Sequence, residues 1–439
     1  MDSGRRNFGL GLVAAVGLSG VPLRLWAQGG RPGPDDVLKT WYRLVLELVR
    51  HTATYTPPVA SRAFAYLGVT AFEAVAQGDA GLRSLAGQVN GLAPLPQAVA
   101  TVDQAAVLHA AMARAVAHLF GNTGPTGQRA MAALSRSLGA DVAQGLSGDI
   151  LAASEVQGDA IAAHVLTWAD SDGGATVRNM GFPMTYEQSV GPEKWVPTST
   201  IVQQQAPLLP EWGQNRAFAM PSGAACGLPP PPAYSEDPAS EFYLQAREVV
   251  DIKANLTPEQ RAIAQFWSDD PMLSPTPPGH WISIAVQVLD RDNAPLARRA
   301  EVLAVLGITL ADAFIACWHS KFEYDLLRPV TYIRRTMDPK WESIMTTPPF
   351  PEYPSGHSTQ SGAAAVVLTA LIGDKVAFED ATHIDDGMPP RLFASFNAAA
   401  EEAGISRLYG GIHFRAAIER GLEQGRCVGA FATALQTRV

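Results

Sequence analysis

The stretch from Ala300 to Trp318 constrains this chain most. It is rich in Ala, Leu and Ile and contains no proline, so it can run as helix for several turns and shows no period-two alternation for a half-buried strand. Long Ala-rich segments of the same kind recur, whereas alternating β-branched runs are few. The expected fold class is all-α, built of helical bundles. Periodicity predicts helices near 36–52, 58–77, 103–120, 126–138, 149–171, 237–252, 257–268, 279–291, 295–327, 357–372, 389–403 and 411–436. Between 172 and 236 the chain is rich in Pro, Gly, Gln and Trp and reaches Pro229-Pro-Pro-Pro232 near its end. Trp195, Trp212 and Phe218 give this excursion something to bury, so it is read as ordered, with a flexible linker as the alternative. It divides an N-terminal helical half, 28–235, from a C-terminal half, 236–439, expected to carry the catalytic site.

Residues 1–27 read as an export signal. Arg5-Arg6 precede an apolar run from Leu10 to Leu23, and Leu25-Trp-Ala27 offers a cleavage site, a pattern that favours the twin-arginine route to the periplasm or beyond. An uncleaved short anchor is the alternative. No later run is read as reaching the roughly 18 apolar residues of a spanning helix, so no membrane span is expected in the processed chain. The formal charge of −9 becomes two units more negative without the signal's three Arg and one Asp, which argues against nucleic acid and anionic membrane surfaces as partners. The three cysteines lack metal-ligand spacing and are odd in number, so a disulfide framework is not expected. Cys317 and Cys427 fall in apolar helical stretches and are read as core residues, and Cys226 falls in a Pro/Gly loop as an exposed thiol.

The chemistry concentrates in three blocks. Lys321 and Arg328-Pro329 close the long apolar helix. Seven helical residues put the two cations on one face about 10 Å apart, and Pro329 is expected to end the helix. Pro354-Ser355-Gly356-His357 reads as a turn feeding a new helix, whose free N–H groups and positive dipole end favour an oxyanion. Ser406-Arg407 and His413 flank Gly410-Gly411, a pair that lets the backbone bend so that guanidinium and imidazole face one point. Three long cations, a Ser-Gly turn and two imidazoles suit a compact, highly charged oxyanion.

Together these blocks resemble the signature shared by type 2 phosphatidic acid phosphatases, bacterial class A acid phosphatases and vanadium-dependent haloperoxidases. Their surroundings are similar to the bacterial haloperoxidases: Ala316-Cys-Trp318-His-Ser-Lys321, Thr347-Pro-Pro-Phe350-Pro-Glu-Tyr-Pro-Ser-Gly-His357-Ser and Tyr409-Gly-Gly-Ile-His413-Phe-Arg, with Lys194-Trp-Val-Pro-Thr198, Leu208-Leu-Pro-Glu-Trp-Gly213 and Pro275-Thr-Pro-Pro-Gly-His-Trp281 upstream. The resemblance extends from about Pro57 to Gly429.

That resemblance implies an oxyanion cradle of Lys321, Arg328, Arg407, Ser355 and the Gly356 N–H. It implies that His413 ligates vanadate, for which phosphate can substitute, and that His357 is the acid–base group opposite, with Lys321 polarising the peroxide. Trp318 and Phe350 would form the halide side, Phe350 standing where chloride-oxidising members tend to have Phe and bromide-oxidising ones His. Hydrogen peroxide, halide and a small organic substrate are the implied partners, neither haem nor nucleotide is needed, and a homodimer is implied for this branch. The family usually carries Asp four residues after the second His; here Ala417 stands there, removing the carboxylate that would orient His413. In a phosphatase the same cradle would stabilise phosphoryl transfer, with His413 as nucleophile and His357 protonating the leaving group. The surroundings favour the haloperoxidase. A non-catalytic oxyanion-binding homologue is the third reading, motivated by Ala417.

Further polar residues carry weaker signals. Asp269 and Asp270 follow Phe266-Trp267 and are candidates to pair with a site arginine, and His280 is a candidate to line the pocket. His51, His109, His118 and His164 read as ordinary helix residues without His/Glu pairing four apart, and His383 reads as an exposed histidine. There is no Gly-rich nucleotide loop and no Ser nucleophile elbow.

Overall fold

In a computed structural model, the structure describes residues 30–97 and 100–439; the export segment, 1–27, lies outside the described residues. The fold is all-α, as expected. Among the described residues five helices come first: α1 (Pro34–Arg50), α2 (Pro57–Ala76), α3 (Gln104–Leu119), α4 (Pro125–Val142) and α5 (Gly148–Ala169). After the excursion come α6 (Glu241–Ala254), α7 (Pro258–Phe266), α8 (Thr276–Arg291), α9 (Leu296–Tyr324), α10 (Pro329–Thr336), α11 (Gly356–Ile372), α12 (Phe396–Tyr409) and α13 (Arg415–Thr433). Between α11 and α12, β1 (Phe378–Asp380) and β2 (Arg391–Phe393) form a small antiparallel pair with Phe378 opposite Phe393.

Helix α9 is the axis of the core. It packs against α2, where glycine lets the backbones approach: a Cβ on Gly307 would stand 2.8 Å from the carbonyl of Phe64, and one on Gly68 would stand 2.8 Å from that of Leu303. By length and composition both α2 and α9 pass as membrane spans, with mean hydropathy 1.2 and 1.9, contrary to the sequence reading. Their apolar windows are 83% and 100% buried inside the protein, so core packing accounts for this apolarity.

The C-terminal helices use a second close approach. Gly421, Gly425 and Gly429 lie four apart on α13, and a Cβ on Gly425 would collide with the Thr359 carbonyl. This stripe seats α13 on α11 and brings the chain before α13 to the start of α11.

The excursion is ordered, with Trp195, Trp212 and Phe218 all buried. Asp312 of α9 holds it by accepting from the N–H groups of Phe218 (2.6 Å), Ala219 (2.8 Å) and Met220 (3.0 Å). Asp172 holds its beginning, accepting from Arg62 Nε at 2.6 Å and the Tyr66 hydroxyl at 2.8 Å. Farther on, Lys194 pairs with Leu326 as an antiparallel bridge.

Several expectations need correction. Cys226 is buried and joined to Cys427 in a disulfide spanning 201 residues of sequence, so it is no exposed thiol; Cys427, read as a core residue, is exposed, whereas Cys317 is free and buried, as expected. Helix α9 stops at Tyr324 because Asp325 turns left-handed, at φ 50° and ψ 45°. Pro329 therefore starts the unexpected helix α10, where its missing N–H costs nothing. Arg328 lies in extended backbone between the two helices, so it does not share a helix face with Lys321. Helix α13 begins at Arg415, which leaves His413 in the link before it. Of the N-terminal histidines, His51 does sit 3.4 Å from Glu47 four residues earlier, as an exposed pair. His109, His118 and His164 each hold an ordinary partner, Ser135, Asp170 and Ala93 respectively.

Candidate active site

Segments from both halves of the sequence converge on a cavity of about 300 Å³. Its polar floor comprises Asp269, Asp270, His357, Arg407 and His413; its apolar wall includes Phe182, Leu208, Phe314, Trp318 and Phe350. Ser355 caps α11, its Oγ accepting from the Ser358 N–H at 3.3 Å, which leaves its own hydroxyl hydrogen for another acceptor. A Cβ on Gly356 would come no nearer than 3.8 Å to Phe314, so that glycine keeps cavity space open rather than relieving a clash. Its N–H belongs to the first turn, where no intrahelical acceptor exists.

Arg328 is fully buried. Its Nε donates to the Phe350 carbonyl at 2.8 Å, and Nη1 donates to the Ile412 carbonyl at 3.0 Å and reaches His413 Nε2 at 3.2 Å. A guanidinium only donates, so His413 Nε2 carries a lone pair and Nδ1 carries the hydrogen. That hydrogen goes to Glu352 Oε1 at 2.9 Å, and the same oxygen accepts from the Phe414 N–H at 2.8 Å. Burial first, then the charges of Arg328, Lys321 and Arg407, hold His413 well below its usual pKa. It is a neutral imidazole whose Nε2 can bind an electrophile. Glu352 thus supplies the orienting carboxylate that Ala417 lacks, although burial raises its own pKa to about 7.

Arg407 reaches the floor from the last turn of α12 and donates to the Trp267 carbonyl. The expectation that Asp269 or Asp270 would bind it as a direct pair is not met: Asp269 faces His280, His357 and His383 instead. Both carboxylates act on Arg407 only at longer range, against the burial that lowers its pKa. His280 does not line the cavity; it is fully buried behind Asp269. His383, read as exposed, is buried, 3.5 Å from Asp269 and 2.9 Å from Asp386. His357 Nε2 lies 3.3 Å from Asp269 Oδ2. Burial foremost, with Arg407 adding to it, lowers His357 to about 4.

Lys321 is buried, and its Nζ donates to the carbonyls of Pro351 (2.7 Å), Glu352 (3.0 Å) and Pro354 (2.6 Å). All three ammonium hydrogens therefore brace the loop before α11, and direct contact with an anion requires trading one. Burial, aided by Arg328, lowers this lysine to about 7, while Glu352 opposes the fall. Lys321 Nζ and the Arg328 guanidinium lie 5.2 and 5.0 Å from the centre of the Phe350 ring, which packs 4.9 Å from Trp318.

The donor set suits a compact oxyanion. Arg328 Nη2 and Arg407 Nε are buried N–H groups without an acceptor among the described residues, and His413 Nε2 offers one nucleophilic lone pair once it gives up the hydrogen bond from Arg328 Nη1. Vanadate, with several oxygens round one electrophilic centre, fits that combination.

Comparison with known proteins supports the same group. Residues 301–439 match the family profile described as the VCPO second helical-bundle domain. A solved bacterial vanadium-dependent iodoperoxidase superposes with a TM-score of 0.84 at 36% identity, covering 92% of this chain and 97% of that one. This chain belongs to the vanadium-dependent haloperoxidase family. The vanadium chloroperoxidase of Curvularia inaequalis is 30% identical over 34% of this chain, and the match spans only 28% of that protein. A bacterial vanadium-dependent chloroperoxidase in its holo form shares the fold, with TM-score 0.66 and 17% identity over 92% of each chain.

Within this haloperoxidase framework, sequence reasoning missed Glu352, His383 and Asp380 as neighbours of the site. Glu352 lay inside the Phe350–His357 run, and its place next to a recognised histidine block was the available signal. Asp380 and His383 stand outside every recognised block, so only the fold brings them in.

Proposed function

We propose that the chain is a vanadate-dependent haloperoxidase that oxidises halide with hydrogen peroxide and delivers the oxidised halogen to a small organic substrate. The observation that carries this reading is the pairing of a neutral His413, whose Nε2 lone pair is directed by Glu352 and Arg328, with the unpartnered donors Arg328 Nη2 and Arg407 Nε. His413, Arg328, Arg407, Ser355 and the first turn of α11 would hold vanadate. Vanadate there would supply the Lewis acidity that makes hydrogen peroxide electrophilic toward halide. Overall, peroxide, halide and one proton yield hypohalous acid and water, so the site must handle protons. His357 is neutral and has Nε2 turned to Asp269, so its Nδ1 remains to take a proton from entering peroxide and return one to leaving oxygen. Lys321 holds the loop in place and adds positive charge beside the floor below about pH 7. Trp318 and Phe350 exclude water where halide approaches.

Titration of the purified protein with orthovanadate tests the reading. Peroxide-dependent bromination of a phenol dye should appear only with vanadate and saturate near one equivalent. Hydrolysis of a phosphomonoester, inhibited by vanadate and without dye bromination, would select a phosphatase instead. Absence of both would leave an oxyanion-binding homologue.

We also propose export by the twin-arginine route. The Cys226–Cys427 disulfide supports an oxidising destination. Replacing Arg5 and Arg6 with Lys should retain the chain in the cytoplasm, as fractionation would read.

A further inference from the structure

Behind the cavity floor, a buried charge arrangement surrounds Asp269. His280 of α8 stacks on Trp267 with ring centres 4.5 Å apart. Its Nδ1 lies 2.9 Å from Asp269 Oδ1 and its Nε2 lies 2.8 Å from Asp380 Oδ2. Asp380 Oδ1 accepts from the Thr382 N–H at 3.0 Å, so both oxygens of that carboxylate face donors. All three side chains are buried. Ionised carboxylates only accept hydrogen bonds, so a ring held between two of them needs hydrogen on both nitrogens.

We propose that His280 is a permanent imidazolium and a positioning residue: by cancelling one of two buried carboxylate charges it holds Asp269 ionised 3.3 Å from His357 Nε2, and so sets the pH range in which His357 exchanges protons. The inference rests on the haloperoxidase reading of His357 and extends it to a residue that touches no substrate. Burial disfavours a charged ring at position 280, but Asp269 and Asp380 outweigh it and raise the pKa to about 10. Several other groups face this triad. His383 approaches Asp269 from one side and is itself tied to Asp386, which pairs with Arg50 at 2.7 Å. Phe266 packs its edge against His280. Beyond Asp269 stand His357, Arg407 and Asp270, of which Arg407 lowers His357 and Asp269 raises it.

A competing use of the same residues is a metal site, because Asp269, His280 and His383 place one possible ligand atom each within 4.8 Å of one another. A metal needs a lone pair on His280, and a doubly protonated ring has none. The two arrangements exclude each other.

Nitrogen-15 spectra of the full chain labelled at histidine decide the protonation state directly. The expected result is a His280 ring with hydrogen on both nitrogens from about pH 6 to about pH 9. His280→Gln leaves two buried carboxylates without a cation, so the His357 ring, followed in the same spectra, should titrate at least about one unit higher. The acid limb of kcat/KM for halide should rise with it. Adding Asp380→Asn to that variant removes one negative charge along with the positive one and should bring both readouts back toward wild type. A merely structural role would leave the titration unmoved and make the double variant worse. The proposal is overturned by a His280 ring carrying a single hydrogen near pH 7, by a stoichiometric transition metal copurifying at the triad, or by an unshifted His357 in a folded His280→Gln protein. The spectra of the wild-type chain answer the first question even if the variant does not fold or no halide is oxidised.

Discussion

Glu352 accepts the Nδ1–H of His413 at 2.9 Å, from a position only five residues before His357. One short segment therefore supplies both the carboxylate that directs one imidazole and the second imidazole itself. Glu352→Ala should weaken vanadate binding about 10- to 100-fold, the usual consequence of removing the partner of a ligating histidine. Equilibrium dialysis against orthovanadate would measure it, and unchanged retention would rule the role out.

Ala417 lines the same small void as Glu352. Ala417→Asp would place a second carboxylate beside a buried one that already has a partner. The expected outcome is no gain in turnover and a loss of stability of about 2–4 kcal/mol, read by denaturant unfolding. A rise in turnover would mean that Glu352 is not a sufficient partner.

The Cys226–Cys427 disulfide ties the Pro/Gly-rich excursion to α13 across 201 residues. Replacing both cysteines with Ser should cost about 5 kcal/mol through the freed unfolded chain, with halide oxidation at room temperature little changed. Urea unfolding of both forms provides the comparison.

Gly425 meets the backbone of α11, where neither partner can turn aside. Gly425→Ala should destabilise by roughly 2–3 kcal/mol and lower activity by shifting His413 relative to His357. A melting temperature equal to that of wild type would show that the helices have slack.

His280 is raised above its ordinary value of about 6.5, to about 10. A group stabilised in its charged form contributes fully below the unfolded pKa, and that contribution fades as pH climbs through the folded one. The stability difference between wild type and His280→Gln should therefore narrow between about pH 7 and about pH 10. Thermal melts across that range would show it, and a constant gap would contradict the charged ring.

Much of this site was legible in the sequence because its residues sit in compact blocks whose side-chain chemistry is specific: Arg328 before a proline, Gly356-His357 at a helix start, Arg407 and His413 round a Gly-Gly bend. What escaped depended on contacts between distant segments. Cys226 and Cys427 meet only because the excursion lies against α13. Asp380 and His383 reach Asp269 because the link between α11 and α12 folds back beside α8, and no local pattern encodes that return. The break between Lys321 and Arg328 was also hidden, since Asp325 adopts a left-handed turn where the helical pattern could have run on. The apolar reach of α9 was hidden because Glu301 and Asp312 interrupt it in sequence, yet both are buried in the fold.

If His413 Nε2 is the point at which vanadate is held, calorimetric titration of orthovanadate should show one equivalent bound by wild type and at least about a hundredfold weaker binding by His413→Ala. Equal affinity in the two proteins would remove His413 from that role.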